Sequence, residues 1–230
     1  AGSRIIAPNL RAMGVQRLDM MVISHADSDH SGGALSVLDV VPVRSLASSL
    51  AANHPIVVRM GRQNAVHCMQ GQRWRWDGVD FAVLWPRRGD YGDPGIKTND
   101  LSCVIRIDGR SGSVLLTGDI EARDEQAMLA MAVDVHADVI VAPHHGSRTS
   151  STRAFVEAVA PSLVVFTPGY RNRFGHPRPE VVARYLDVGA AALRSDADGA
   201  VELDMDGSVP LSWRTARVER RRYWHDSMEP

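Results

Sequence analysis

The sequence lacks any long apolar segment. No run in its 230 residues approaches the 18 or so consecutive apolar side chains typical of a membrane-spanning helix, so none is predicted. The chain begins Ala1-Gly2-Ser3-Arg4, with no methionine and no apolar signal-peptide core. We therefore expect a fragment of a longer protein. The 44% hydrophobic content is nevertheless enough for a sizeable core.

Cysteine is almost absent. Cys68 and Cys103 are the only two, and no Cys-x-x-Cys pair occurs, which argues against a structural zinc site built from thiolates. Two isolated cysteines in a chain of this length are more often small buried apolar residues than a disulfide pair. We predict the buried form, although the sequence is also compatible with one disulfide.

Excess positive charge is absent as well. The 26 Lys and Arg residues nearly balance the 27 Asp and Glu residues, which argues against binding nucleic acid through bulk positive charge. Lys97 is the only lysine, so arginine supplies the other basic side chains. Arginine suits bidentate phosphate contacts, but nucleotide bias in the source genome gives the same imbalance and is the preferred explanation.

Short apolar runs alternate with helical and turn-rich segments, which predicts a layered fold of the α/β (α+β) class. An Asp77-Gly78 turn between alternating runs predicts a hairpin over residues 71–85. Its tryptophans are expected to be buried and its arginines solvated, although such a strip could also stack on bases. Residues 1–215 are predicted to form one domain and residues 216–230 a charged tail.

Polar clusters rich in histidine and aspartate follow three predicted strands. The first is the run His25-Ala26-Asp27-Ser28-Asp29-His30, the second is Asp119, and the third is His144-His145. Chance produces one such cluster easily, but three at strand ends are hard to explain as core packing. Imidazole and carboxylate are metal ligands, so the pattern predicts a metal site where these strand ends meet.

The motifs resemble those of the metallo-β-lactamase superfamily, whose signature is His-x-His-x-Asp-His followed by Gly-Asp and a histidine at later strand ends. Asp27 departs from the signature, because it stands where the second histidine is usual. The sequence looks still more like the C-terminal hydrolase-like domain of the ComEC family of DNA-uptake channels. That similarity rests on four motifs in the same order, SHADSDHSGG at 24–33, LLTGD at 115–119, APHHGS at 142–147 and GHP at 175–177.

The resemblance implies an αββα sandwich that lacks its first N-terminal strands here. It also implies two divalent metal ions, with Asp119 as the bridging ligand. The remaining ligands divide into His25 and Asp27 for the first metal and Asp29, His30 and His144 for the second. His144 is preferred to His145 because it ends its strand most directly, but the choice between them stays open.

The first metal lacks a ligand that superfamily members usually take from the middle of the chain. No histidine lies between His67 and His136. Asn99, Asp100 or water would then fill the position. Oxygen donors would outnumber imidazoles at this metal, which favours manganese, with zinc or magnesium as alternatives, and predicts weaker binding than at the second metal.

Two metals would activate water for attack on a phosphodiester, so no side-chain nucleophile is required, and no Ser-His-Asp elbow is present. Three residues are predicted to be catalytic, namely Asp29, His145 and His176. Four are predicted to contact the substrate, namely Asn99, Ser147, Arg171 and Arg173.

The predicted function is a metal-dependent phosphodiesterase, specifically a nuclease that degrades DNA, in single-stranded form, during natural competence uptake. Two alternatives remain, a non-catalytic DNA-guiding module with a degenerate metal site and a hydrolase of small, phosphorylcholine-type phosphodiesters. The resemblance further implies a soluble domain of an inner-membrane protein that faces the periplasm or extracytoplasmic side. The channel segments of that protein would lie outside this chain.

Overall fold

A computed structural model describes residues 2–207 and 210–219 and shows two facing β-sheets. The smaller sheet has three parallel strands in the order β1-β2-β3, with β1 at one edge. Their bounds are β1 (Leu18–Ile23), β2 (Val43–Ser48) and β3 (Ala65–His67).

The larger sheet has seven strands, and it supplies two of the three strand ends that carry the polar clusters. In chain order the strands are β4 (Arg73–Trp76), β5 (Val79–Trp85), β6 (Val104–Asp108), β7 (Ser113–Leu116), β8 (Val139–Val141), β9 (Leu163–Phe166) and β10 (Ala191–Arg194). Their order across the sheet is β10-β9-β8-β7-β6-β5-β4, and β7 to β10 run parallel. A separate antiparallel hairpin joins β11 (Val201–Asp204) to β12 (Ser212–Thr215).

Helices cover the outer faces of both sheets. Their bounds are α1 (Ala7–Ala12), α2 (Ser28–Ser31), α3 (Ala34–Leu38), α4 (Pro55–Met60), α5 (Ala122–Ala130), α6 (Arg153–Val159), α7 (Pro179–Asp187), α8 (Ser195–Asp198) and α9 (Ala216–Glu219). Met128, Phe155 and Val181 of α5, α6 and α7 belong to the core cluster of the larger sheet. Helices α3 and α4 pack on the smaller sheet. The layers therefore follow the predicted αββα order.

The predicted hairpin is present, with Trp74 opposite Phe81 in its register and stacked on that ring at 5.0 Å between centroids. Trp76 is half-exposed, however, so the aromatic face is only partly buried. Between β2 and β3 the chain forms the helix α4. The imidazole of His54 caps α4 by accepting a hydrogen bond from the Ile56 amide.

The prediction for the cysteines is wrong. Cys68 and Cys103 form a disulfide, with their Cα atoms 5.7 Å apart. Cys68 follows β3 of the smaller sheet and Cys103 precedes β6 of the larger one, so the bond joins the two sheets. Thirty-five residues separate the two cysteines in sequence, and the strand pairing that brings them together was not evident from it.

The predicted charged tail begins with the short helix α9, where Glu219 lies 3.6 Å from the Arg214 guanidinium. Residues 220–230, with the Arg220-Arg221-Arg222 run, lie outside the described residues. None of the helices in the described part of the chain has the length and apolarity that crossing a bilayer requires.

Candidate metal centre

The three polar clusters meet at one end of the sandwich. His25 to His30 follow β1, Asp119 follows β7, and His144-His145 follows β8. Strands β7 and β8 are parallel neighbours, so their carboxyl ends are adjacent, and a hydrogen bond from Cys103 N to Ser24 O links the end of β1 to the larger sheet. The predicted convergence of strand ends is therefore present.

Asp119 lies at the centre of the cluster and is only 4% exposed. Its Oδ1 atom is 3.1 Å from Nε2 of His30 and 3.7 Å from Nε2 of His145. Its Oδ2 atom is 3.8 Å from Nε2 of His25 and 3.9 Å from Nε2 of His144. Each carboxylate oxygen thus faces two imidazoles, as a bridging ligand does between two ions.

The other ring nitrogen of two of these histidines faces a serine hydroxyl. Nδ1 of His30 lies 2.9 Å from Oγ of Ser24, and Nδ1 of His25 lies within 3.3 Å of the hydroxyls of Ser24 and Ser102. Ser102 also accepts a hydrogen bond from the Asp119 amide. Donation from Nδ1–H to such oxygens leaves the Nε2 lone pair free for a cation.

The His144-His145 pair has equivalent partners on its Nδ1 side. Nδ1 of His144 lies 3.4 Å from Oε1 of Glu121 and 3.3 Å from the Thr149 hydroxyl. Nδ1 of His145 lies 3.1 Å from the Thr167 hydroxyl. A carboxylate or hydroxyl behind an imidazole is the usual outer partner of a metal-bound histidine.

Sequence reasoning missed this outer layer of partners. The sequence did contain an indication of two of these partners, because they lie next to predicted ligands: Ser24 directly precedes His25, and Glu121 lies two residues after Asp119.

An unusual backbone presents both histidines. His144 has φ 49° and His145 has φ 54°, a left-handed conformation that non-glycine residues seldom adopt. Gly146 follows with φ 83°, and a Cβ atom there would lie 2.6 Å from Cβ of Pro177. This turn directs two consecutive side chains into one site, and such strain is concentrated at functional positions.

The site is electrostatically prepared for a cation. Burial opposes the charge on Asp119, but the close contact and charge of His30, with His145 and His25, outweigh it and lower the pKa of the carboxyl. Burial opposes the charge on His30 too, but contact with Asp119 outweighs it and raises the pKa of that imidazole. At His25, burial and then the charge of His30 lower the pKa.

Two buried atoms lack the partner that an ion would supply. His25 is fully buried, and neither its Nε2 nor Oδ1 of Asp119 has a hydrogen bond of acceptable geometry within the described residues. Unsatisfied buried polar atoms cost about 1–3 kcal/mol each, so a native structure rarely keeps them without a ligand or water.

The second metal set fits a divalent ion closely. Asp29, His30, Asp119 and His145 each offer a donor atom, and these atoms all lie within 4.8 Å of one another. Nitrogen ligands about 2.0–2.1 Å from a tetrahedral ion would lie about 3.3 Å apart. The Nε2 atoms of His30 and His145 are 3.3 Å apart.

The first set is wider but has a similar donor composition. Nε2 of His25 is 3.8 Å from Oδ2 of Asp27, and Oδ2 of Asp119 faces His25 and His144. His144 thereby occupies the side where the sequence suggested a missing ligand. Both sets then have two imidazoles and two carboxylates, counting Asp119 in each, so the expected excess of oxygen donors at the first metal is not present.

The preference for His144 over His145 as a ligand of the second metal is not supported by these contacts. His145 lies with Asp29 and His30, whereas His144 faces the Oδ2 atom of Asp119 on the other side. The left-handed turn separates the two rings, and sequence alone could not indicate it.

Asn99 and Asp100, which the sequence suggested as the missing ligand of the first metal, do not contact the centre in the described part of the chain. Asp100 is buried and accepts hydrogen bonds from the Lys97 amide and the Arg123 guanidinium. Asn99 lies beside it in a short 3-10 turn, with no side-chain contact to the centre within the described residues. Thr98 reaches the site instead, since its hydroxyl donates to Oδ1 of Asp27 at 3.1 Å.

Of the predicted substrate residues, Ser147 is buried, and its hydroxyl is used within its own loop by Thr149. It is not displayed to a substrate. Arg171 and Arg173 are exposed in the loop beside the site. His176 is half-buried with its ring 6.0 Å from that of His144, and burial, then the charges of His144 and Arg178, lower its pKa.

Comparisons with known proteins agree with this geometry. The sequence profile described as the Metallo-beta-lactamase superfamily matches residues 2–169. The chain is 36% identical to Competence protein ComA of Neisseria gonorrhoeae over 201 residues, which cover 87% of this chain and 27% of that protein. It is 29% identical to ComE operon protein 3 of Bacillus subtilis over 208 residues, covering 87% of this chain and 26% of that one.

The chain therefore spans about a quarter of the length of these curated relatives. Among solved structures, CmlA, a diiron beta-hydroxylase from Streptomyces venezuelae, has a similar fold, with a TM-score of 0.52 and 17% identity. The match covers 78% of this chain and 44% of CmlA. The predicted similarity to competence proteins is confirmed, and by its profile, its αββα layers and its histidine-aspartate centre this chain belongs to the metallo-β-lactamase superfamily.

Proposed function

We propose that this domain is a dinuclear metal-dependent phosphodiesterase, and specifically a nuclease that acts on DNA during uptake. The arrangement around Asp119 carries the proposal. Four imidazole Nε2 atoms surround its carboxylate, two facing each oxygen. When bound there, two divalent ions supply positive charge for the phosphate oxygens and activate water as the nucleophile.

The chain's own residues position the substrate. Asp29 is the exposed member of the second set, with 63% of its side chain accessible, so the set is open to solvent and to an incoming phosphodiester on this side. His145 is held by Thr167 on one side and faces Asp29 and Asp119 on the other. We assign the remaining contacts to the phosphate to His176 and the arginines of its loop.

DNA as the substrate is supported by the relatives. Their names are Competence protein ComA, ComE operon protein 3 and, in Haemophilus influenzae, Recombination protein 2, which is 31% identical over 203 residues. A net charge of −1 gives the domain no bulk attraction for DNA, so substrate contact has to come from local groups such as Arg171 and Arg173.

We further propose that the domain faces the oxidising, extracytoplasmic side of an inner membrane. The buried Cys68–Cys103 disulfide supports this placement, because disulfides persist in oxidising compartments and are rare in the cytosol.

A cleavage assay tests the function. The purified chain is incubated with single-stranded or double-stranded DNA in manganese, magnesium or zinc, and Asp119→Asn and Asp29→Asn are compared with it. We expect metal-dependent cleavage that falls by at least about 100-fold in both variants, since even outer partners of metal ligands contribute 10–100-fold. His136→Ala, at an exposed histidine away from the cluster, is the control and should cleave normally.

Two results would replace the proposal. DNA bound but uncleaved with every metal would favour the non-catalytic DNA-guiding module. A small phosphodiester turned over while DNA stays intact would favour a phosphorylcholine-type hydrolase.

A further inference from the structure

The loop between β9 and α7 borders the metal centre and has an unusual composition. Residues 170–178 contain three arginines, a tyrosine, a phenylalanine and a histidine, and no acidic residue. Phe174 is 57% exposed, although a phenyl ring in water normally gains by burial. An exposed ring at the border of a site is a candidate contact for a flat, apolar ligand surface.

The loop is held in place rather than projecting freely. The Asn172 side chain donates to the carbonyl of His176 at 2.8 Å and accepts from its amide at 2.9 Å. The Arg178 amide donates to the Gly146 carbonyl at 2.9 Å, which ties the loop to the turn that carries the paired histidines. The ring of Phe174 therefore has a defined position relative to the metal ligands.

A row of rings leads outward from the centre. The centroids of His144 and His176 are 6.0 Å apart, and those of His176 and Phe174 are 5.9 Å apart. The last two planes are tilted by only 15°, so Phe174 stacks parallel to His176. A planar group next to a bound phosphate could continue this stack.

The arginines of the loop are not committed to protein carboxylates. The guanidinium of Arg173 lies 5.0 Å from the Phe174 ring centroid, and that of Arg171 lies 5.2 Å from the Tyr170 ring. Within residues 2–207 and 210–219, neither forms an ion pair with Asp or Glu. Their contacts are with ring faces and not with carboxylates, so their N–H donors remain for phosphate, which the guanidinium fork binds well.

We propose that Phe174 stacks on the nucleobase beside the scissile phosphate, while Arg171 and Arg173 contact the flanking phosphates. This inference rests on the proposed nuclease function and specifies its substrate as single-stranded DNA. In a duplex both faces of a base are occupied by its neighbours, whereas a single strand exposes a face to an aromatic side chain. Stacking tolerates all four bases, so the subsite selects strandedness and not sequence.

The test compares wild type with Phe174→Ala and Phe174→Trp. The probe is a single-stranded oligonucleotide that carries 2-aminopurine, whose fluorescence changes on stacking, and a second oligonucleotide has abasic positions in its place. We expect Phe174→Ala to bind and cleave the first probe about ten-fold less well than wild type. Phe174→Trp, which keeps an aromatic ring, should bind and cleave it as well as wild type does. Metal binding and melting temperature should match wild type in both variants, which separates the effect from misfolding.

Wild type should bind and cleave the abasic probe more weakly than the intact probe, by the same factor as Phe174→Ala loses on the intact probe. Equal binding, cleavage and fluorescence for wild type and Phe174→Ala would overturn the inference and leave the nuclease proposal intact. A fluorescence change that depends on Phe174, without cleavage by wild type, would support the stacking contact and overturn the nuclease proposal.

Discussion

At the scale of single residues, Asp119 determines how the ligands of the centre divide into two sets. Its Oδ1 faces His30 and His145 and its Oδ2 faces His25 and His144, so each half takes one of the paired histidines. The halves differ in readiness. The donor atoms of the second set all lie within 4.8 Å of one another, whereas those of the first set are more widely spaced.

Several ligands could be identified from the sequence, but their pairing could not. The motif after β1 indicated His25, Asp27, Asp29 and His30 because four metal-capable side chains in six residues are rare. Which half of the centre His144 faces depends on a left-handed turn. Gly146 is the one residue type in that segment that favours such a turn, so the sequence did not indicate it at the two histidines. Ser147 was predicted to contact the substrate, but it is buried by contacts within its own loop, which the motif alone does not indicate.

At the scale of elements, the first turn of α5 contains the buried carboxyl of Asp124, which lies close to the buried carboxyl of Asp100. Asp124 is 1% exposed and caps the helix by accepting from the Glu121 amide at 3.1 Å. Burial, with the nearby Asp100 carboxyl, raises the pKa of Asp124 to about 7 from the usual 3.8. The folded protein therefore keeps this proton at pH values where the unfolded chain has released it.

Stability is then expected to fall as pH rises from about 4 to about 7, on the order of 1 kcal/mol per pH unit from this group. Asp124→Asn keeps the cap but cannot titrate, so the variant should lose this part of the pH dependence. Thermal melting between pH 5 and pH 7.5 measures it, with Asp93→Asn at an exposed position as control. A slope unchanged in Asp124→Asn would contradict the assignment.

Elements with a strong local signal were predicted well. Asp77-Gly78 indicated the hairpin that β4 and β5 form. The strand β6 begins only at Val104, because the chain first forms a 3-10 turn in which the Asp100 carbonyl accepts a hydrogen bond from the Trp85 indole. That turn depends on a contact 15 residues away, which local pattern cannot indicate.

At the scale of the whole molecule, the disulfide connects the two sheets. Cys103 directly follows Ser102, whose hydroxyl contacts His25 and the Asp119 amide, so the bond adjoins the metal centre. The order of the layers was implied by the family resemblance, but the disulfide contact between the sheets is long-range and required the structure.

Reduction of this disulfide should lower the free energy of unfolding by about 2–4 kcal/mol, because it releases a constraint on the unfolded chain. Denaturant unfolding with and without reductant measures the change. The double variant Cys68→Ala/Cys103→Ala should be insensitive to reductant. Two alkylatable thiols in protein from an oxidising compartment would contradict both the bond and the proposed side of the membrane.

A dinuclear centre bridged by Asp119 is the central claim, and counting bound metal tests it most directly. Calorimetric titration with manganese, checked by metal analysis, should give two ions per wild-type chain, with the second set binding more tightly. His144→Ala and His145→Ala should each lose or greatly weaken a different ion, with the tighter one affected in His145→Ala, while His136→Ala keeps both. A wild-type chain that binds a single ion, or a His144→Ala variant that keeps two with unchanged affinity, would contradict the account.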